Sequence, residues 1–183
     1  MHYWKLRLWW YHLDKEAWGF GMLIALVLGA LAFGLKSVFS YQDERRGSVR
    51  EYHARNLACL ARNVYYEARG EPMAGQFAVA EVTMNRKASG RYPNSVCEVV
   101  HQKNWDPMRK RYVGAFSWTE FDSLPEPAGM EWRRAQVVAE AVYYQKYEPT
   151  LGGAIFFHAT HVRPPWAKQR TRVARIGRHV FYR

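Results

Sequence analysis

Asn63-Val64-Tyr65-Tyr66-Glu67-Ala68-Arg69-Gly70-Glu71-Pro72 reads as the end of one helix, a Gly-Pro break and the start of another. Upstream, Leu57, Leu60, Ala61, Val64 and Ala68 recur at helical spacing and form one apolar stripe. Gly70 suits the position just past a helix end, and Pro72 suits the first turn of the next helix. Glu67 follows Val64 by three residues, which sets it on the flank of the stripe and not on the opposite, solvated face. A carboxyl half sunk in an apolar wall is hard to ionise, so its pKa rises and it can serve as a general acid near neutral pH. The same position also fits a partly buried Glu paired with Arg62 or Arg69. Glu71 differs: before Pro72 it faces a helix start, whose dipole favours its charged form and argues against an acid role.

Downstream, apolar residues at Met73, Phe77, Ala80 and Met84 predict a second amphipathic helix from Pro72 to about Lys87. Glu81 falls on that face, as a buried partner for an Arg or as a second active-site group; the structural role is the expected one. Ser95-Val96-Cys97-Glu98 is a capping box opening a short helix. Asn104 to Gly114 is basic and turn-rich, with Arg109, Lys110 and Arg111, and reads as a rim loop over a cleft. Ala135, Val138, Ala139 and Val142 mark a third helix that ends before Pro149. A short apolar run, Ala154 to His158, follows two glycines. Arg172 to Ile176 and His179 to Tyr182 then read as strands joined by Gly177-Arg178, which suits a type II′ turn. Helices first and a small antiparallel sheet later give an α+β architecture.

Upstream of the opening stretch, Ala17 to Leu35 is an uncharged run of 19 residues, about the length needed to cross a hydrocarbon core. Trp4, Trp9, Trp10 and Trp18 suit an aromatic belt at the interface. A cleaved signal peptide is the competing reading, but no small-x-small site follows, so an uncleaved anchor is expected. The domain boundaries expected are a cytoplasmic tail over 1–16, an anchor over 17–39, a linker or fraying helix over 40–54 and a catalytic domain over 55–183. Basic residues flank both ends of the anchor and give orientation no vote. Gly21, Ala25 and Gly29 form a small-residue face open to helix–helix self-association. A Gly/Ala-rich anchor also suits an endolysin that leaves the bilayer.

The net charge is +11, of which residues 51–183 carry +8. A basic domain fits nucleic acid, acidic lipid or an anionic wall polymer. No helix carries clustered Arg or Lys as a nucleic-acid reader would, and an anchor is awkward for one, so no nucleic-acid partner is expected. Cys59 and Cys97 are the two cysteines, compatible with one disulfide or with two buried thiols. His158-x-x-His161 is the closest histidine pair, but the spacing puts the two on opposite faces of an extended segment and no H-E-x-x-H helix accompanies it. No metal and no cofactor are therefore expected.

Several collinear motifs resemble the SleB/CwlJ-type cell-wall hydrolases over roughly residues 55–183. They are Glu67-Ala-Arg-Gly-Glu-Pro, Gly75-Gln-x-Ala-Val-Ala, Asn85-Arg86 and Tyr92-Pro93-x-Ser95-Val96. Gly114-Ala-Phe-Ser117, Pro149-Thr-x-Gly-Gly-Ala-x-Phe-Phe157 and Ile176-Gly-x-His-x-Phe181 continue the series. The resemblance implies a lysozyme-like fold that cuts the MurNAc–GlcNAc bond of peptidoglycan, commonly as a lytic transglycosylase, with Glu67 as the acid. Phe116, Ser117 and Trp118 match the family's G-A-F-[S/T] region and suit a stacking ring and a hydroxyl, with Tyr66, Asn85 and His158 as further candidate substrate contacts; the aromatic rings suit core packing equally well. Asn85 also suits a helix-end cap. Transglycosylation needs no second carboxylate; hydrolysis would call on Glu81, Glu120 or Asp122. The chain bears a membrane segment where the spore enzymes carry a peptidoglycan-binding repeat, so envelope remodelling or phage lysis is expected before germination. A non-catalytic scaffold binding glycan strands or a membrane surface is the alternative.

Overall fold

The structure, a computed structural model, describes residues 15–107 and 109–183. The expected tail, with Trp4, Trp9 and Trp10, lies almost wholly outside the described residues. The chain divides into two compact units at the Arg50–Glu51 junction. Residues of one 54-residue helix, α1 (Lys15–Ala68), belong to each.

In the first unit α1 is exposed on every side, large apolar residues such as Phe20, Leu26 and Phe33 included. By length and composition it can cross a membrane, with a mean hydropathy of 2.2 in its apolar window. No atom outside the helix backbone comes within 4 Å of where a side chain would begin at Gly21 or Gly29. Residues 40–54, expected as a linker or fraying helix, continue α1 without a break. Gln, Glu and Arg are good helix formers, and a helix in water needs no apolar stripe, so polarity alone misreads this segment.

The second unit is arranged around α2 (Met73–Ala88). The stripe expected on this helix is broader and turned: Ala78, Val79, Ala80 and Val82 are fully buried, whereas Met73 is 46% exposed. The reason is that α2 is covered on two sides. Ala80 joins Leu60, Val64, Val100, Val138 and Val142 in one core, while Ala78 and Val82 join Leu151, Ala154 and Phe181 in another. Small side chains let neighbours approach closely on both faces, and each large apolar residue so buried contributes about 1.5–3 kcal/mol. Over α2 packs α4 (Gly129–Tyr143), whose buried residues Ala135, Val138, Ala139 and Val142 are the expected ones.

Between them, α3 (Val96–Val100) starts at the Ser95/Glu98 capping box. Its Val96 and Cys97 N–H groups also donate to Asn56 Oδ1 of α1, at 2.7 and 3.2 Å. A Cys59–Cys97 disulfide closes the same junction, with Cα atoms 5.2 Å apart. The expected rim loop is in fact a hairpin of β1 (Lys103–Asp106) and β2 (Arg111–Gly114), in register at Trp105 and Tyr112. Strands of four residues alternate too few times to show a period.

The last sheet contains β3 (Phe156–Ala159), β4 (Arg172–Ile176) and β5 (His179–Tyr182) in the order β3-β5-β4, all antiparallel. The central strand β5 is buried at every residue. Gly177 opens the β4–β5 turn at φ 56°, a left-handed value that Arg178 does not share, as a type II′ turn requires. Glu71 holds this turn from below. Its Oε2 accepts the Arg178 backbone N–H at 2.8 Å and its Oε1 accepts Nε–H at 2.7 Å. A Cβ on Gly177 would strike the same carboxylate, so glycine is needed there for space as well as for φ. Burial pushes the Glu71 carboxyl up, but the Arg178 donors outweigh it and leave the pKa below the ordinary value. The direction expected from a helix dipole is observed; the turn is its cause. Glu71→Ala removes the strut, and a melt should show a loss of about 2 kcal/mol. An unchanged melting temperature would show that the sheet holds its turn without it.

Candidate active site

Glu67 closes α1 where three segments converge: the helix end, the turn after β2, and Arg86 of α2. That turn is a 3₁₀ helix, Ser117–Glu120, with Phe116 as its N-cap. It can fold this tightly because residue 114 is glycine: a Cβ there would meet Thr119 Oγ1 and come within 2.9 Å of Phe116 O. The backbone N–H groups of Ser117 and Trp118, and the Ser117 hydroxyl, face the Glu67 carboxyl and favour its charge. Burial works against them and is the larger effect. It raises the pKa to about 7, with the Arg86 charge also pulling downward. Oε1 of Glu67 is buried with no hydrogen-bond partner. A side chain held in this way is half protonated at neutral pH and can deliver a proton.

Among the residues expected to contact substrate, Ser117 is exposed at the N-terminus of the turn, beside the carboxyl. Trp118 stacks on Tyr66, with ring centroids 4.7 Å apart, and the Tyr66 hydroxyl donates to Pro125 O at 2.8 Å. Phe116 is corrected: at 2% exposure it offers no ring to a sugar, but lies in the core with the Arg86 guanidinium 4.8 Å above its centroid. Asn85 does not cap its own helix: its Nδ2 donates to Ala154 O at 3.1 Å, which ties α2 to the segment entering β3. His158 lines a cavity of about 600 Å³ with Arg163, Lys168 and Tyr182, a lining that does not include Glu67. Its Nδ1–H donates to Ala159 O at 2.9 Å, which leaves Nε2 to accept from the Tyr182 hydroxyl.

A family model described as Cell Wall Hydrolase matches residues 70–182. The chain belongs to the cell wall hydrolase family. It is similar to two curated proteins that carry the name spore cortex-lytic enzyme. With the one from Bacillus subtilis it shares 32% identity over 69% of this chain and 37% of that protein. With the one from Halalkalibacterium halodurans it shares 32% identity over 71% of this chain and 35% of that protein. The chain thus spans little more than a third of the length of these relatives. Its backbone is similar to the catalytic domain of the germination-specific lytic transglycosylase SleB of Bacillus anthracis. The TM-score is 0.50 at 27% identity, covering 70% of this chain and 93% of that domain. The fold is therefore the SleB-like, lysozyme-like one, mostly helical with small antiparallel sheets.

Three other carboxylates of this cell wall hydrolase, Glu71, Glu81 and Glu120, are tied into its frame. Glu71 holds the Gly177 turn, as above. Glu81 is 3% exposed and accepts the Thr150 and Leu151 N–H groups at 2.9 and 2.8 Å, the structural role expected of it. Glu120 pairs with Arg111 at 2.7 Å, and Asp122 is exposed beyond the turn. Among the described residues no group of three His, Cys, Asp or Glu is placed to hold a metal ion.

Three contributors were missed from the sequence. Asn63 is fully buried one turn before Glu67; it donates to Thr83 Oγ1 at 3.0 Å and accepts Trp118 Nε1–H at 2.8 Å, and so positions the Trp118 ring. A polar residue on the apolar stripe was the available signal. Arg86 is buried beside Glu67, and the signal there was a charge on a helix whose other faces are apolar. Trp166, on the 3₁₀ turn Pro165–Gln169, had none, because only the fold brings it against Phe156, His158 and Tyr182.

Proposed function

We propose that this chain is a membrane-anchored enzyme that cleaves the MurNAc–GlcNAc bond of peptidoglycan as a lytic transglycosylase. The observation that carries the reading is Glu67: a single carboxyl raised to about 7 while Glu71, Glu81 and Glu120 are occupied as structural anchors. The names of the relatives and of the solved SleB domain support the substrate and the reaction class.

In this reading protonated Glu67 gives its proton to the glycosidic oxygen as the C1–O bond breaks and oxocarbenium character develops at C1. The C6 hydroxyl of the same muramic residue then attacks C1, and its proton passes to the Glu67 carboxylate. The acid is regenerated and the product is a 1,6-anhydro sugar. Hydrolysis would place a water on the opposite face, activated by a second carboxylate. The burial and tethering of Glu81 and the ion pair of Glu120 favour the internal nucleophile.

Two features support a position outside the cytoplasmic membrane with the amino terminus inside. α1 has the length and composition of a membrane span, and the Cys59–Cys97 bridge belongs to an oxidising compartment. Envelope remodelling and phage lysis both fit this topology. The test is mass spectrometry of the fragments that the full chain, in detergent, releases from purified peptidoglycan. Anhydromuropeptides are the expected product. Reducing muropeptides would overturn transglycosylation, and a protein that sediments with sacculi while releasing nothing would be the binding scaffold.

A further inference from the structure

Arg86 is 8% exposed, yet among the described residues its guanidinium makes one hydrogen bond, from Nε to Ile155 O at 2.8 Å. Its plane is held over the rings of Phe116 and Tyr92, with centroids 4.8 and 5.5 Å away. Nη1 is buried without any partner, and Arg86 enters no ion pair of 4.0 Å or less among the described residues. A guanidinium has only donors, and an unmade bond from a buried charged group is expensive. The Ile155 carbonyl and the two ring faces offset part of that cost, and the Nη1 donors are left unmet. Arg86 lines a cavity of about 290 Å³ together with Tyr92, Asn104, Phe156 and Trp166, at the small end of ligand-sized pockets. The cavity also includes Ala115, two residues before the Ser117 that faces Glu67.

We propose that Arg86 determines specificity: where its guanidinium lines this cavity it donates to a carbonyl or carboxylate oxygen carried beside the scissile bond, and so helps seat the sugar for Glu67. The inference rests on the glycan-cleaving reading above and names the chemistry that its site selects. An oxygen acceptor completes the guanidinium, and the aromatic walls suit the apolar face of a sugar. The contact also reaches the acid, because the Arg86 charge pulls the Glu67 pKa down. A carboxylate that engages this charge offsets the pull and favours the protonated carboxyl when substrate is bound; a neutral carbonyl leaves the pull in place. Two sources carry such an oxygen next to the bond: the N-acetyl group, and the lactyl arm that bears the peptide.

The test measures kcat and KM of the full chain in detergent, wild type and Arg86→Gln, on three glycans. These are intact strands, N-deacetylated strands, and strands freed of peptide whose lactyl carboxyl has been reduced to an alcohol. On intact strands Arg86→Gln should lower kcat/KM about tenfold to a hundredfold, the range for a hydrogen bond from a charged donor. The wild type should lose a similar factor on one of the two stripped glycans, and the variant should lose no more on that glycan. Loss on deacetylated strands assigns the N-acetyl carbonyl; loss on the reduced strands assigns the lactyl oxygen. Should Arg86→Gln melt early through loss of its Ile155 bond, Arg86→Lys, which keeps the charge but not the planar fork, replaces it in the same series. Equal wild-type rates on all three glycans overturn the proposal, as does a further loss by the variant equal to that of the wild type. Failure of the wild type on intact strands overturns the activity itself and this inference with it.

Discussion

Glu67→Gln lowers release of anhydromuropeptides about a thousandfold, in the range that general acid catalysis contributes, and leaves sedimentation with sacculi in place. An amide fills the same space against Ser117 and Trp118 but has no proton to transfer at any accessible pH. The pH profile of the wild type follows from the same group. Its acid form predominates below about 7, so kcat/KM should be level there and fall tenfold per unit above. Stability should fall with rising pH as well, but over a lower range. The folded pKa of about 7 exceeds the ordinary 4.5, so the folded state binds more protons than the unfolded one between those values. Stability contributed by the protonated form is complete below the unfolded value and is lost as pH rises through the folded one. At pH 8 the wild type carries that loss and the Gln variant does not, so the variant should melt higher, by on the order of 2 kcal/mol, with the difference shrinking toward pH 5. A variant that keeps more than a tenth of the activity would remove Glu67 from the chemistry. One that melts lower at pH 8 would show that the carboxyl is not held against its ionisation.

The helices were legible wherever one face alone is buried. Ala135, Val138, Ala139 and Val142 were read correctly because α4 meets the core on a single side. On α2 the same reasoning chose Met73, which is exposed, because a helix covered on two faces has no single stripe to find. The β4–β5 hairpin was legible from two residues, since Gly177-Arg178 dictates the turn and the buried His179-Val180-Phe181-Tyr182 run follows it. The β1–β2 hairpin was not, its strands being short and largely exposed.

At the site, the buried setting of Glu67 was legible from its position beside an apolar stripe, whereas its expected role as the acid came from the family resemblance. Its surroundings were not, because they are assembled from distant segments. Ser117 and Trp118 arrive 50 or more residues later, on a turn whose geometry depends on the missing side chain of Gly114. Phe116 illustrates the limit. The motif places it next to Ser117 and invites a sugar-stacking role, yet alternate residues of a tight turn face opposite ways, and this one faces the core beneath Arg86. The family motif thus combines two tasks: Gly114 and Phe116 shape the turn, and Ser117 and Trp118 address the acid.

Replacing Cys59 and Cys97 together by Ala should destabilise the domain by about 4 kcal/mol. The bridge closes 38 residues of sequence, and the chain-entropy relation gives that value for a loop of this length. Domains of this size are stable by about 5–15 kcal/mol, so the loss is a large part of the total and should lower the melting temperature by about 10 °C or more. The consequence for the site is specific, because the bridge joins α3 to the same helix that ends in Glu67, two turns before the acid. Asn56 still receives the Val96 and Cys97 N–H groups in the variant, so the junction is weakened and not abolished. The expected outcome is a protein active at low temperature that loses activity on warming well before the wild type. Reductant added to the wild type should reproduce the shift once thiol titration shows the bridge open. If the melting temperature stays put with both thiols free, Asn56 and the core around Leu60 and Val100 hold the junction unaided. Measured in cells, the thiols should resist alkylation on the outer side of the membrane. A chain kept in a reducing compartment lacks the bridge and is the weaker protein, so the domain reaches its full stability only where oxidation is possible.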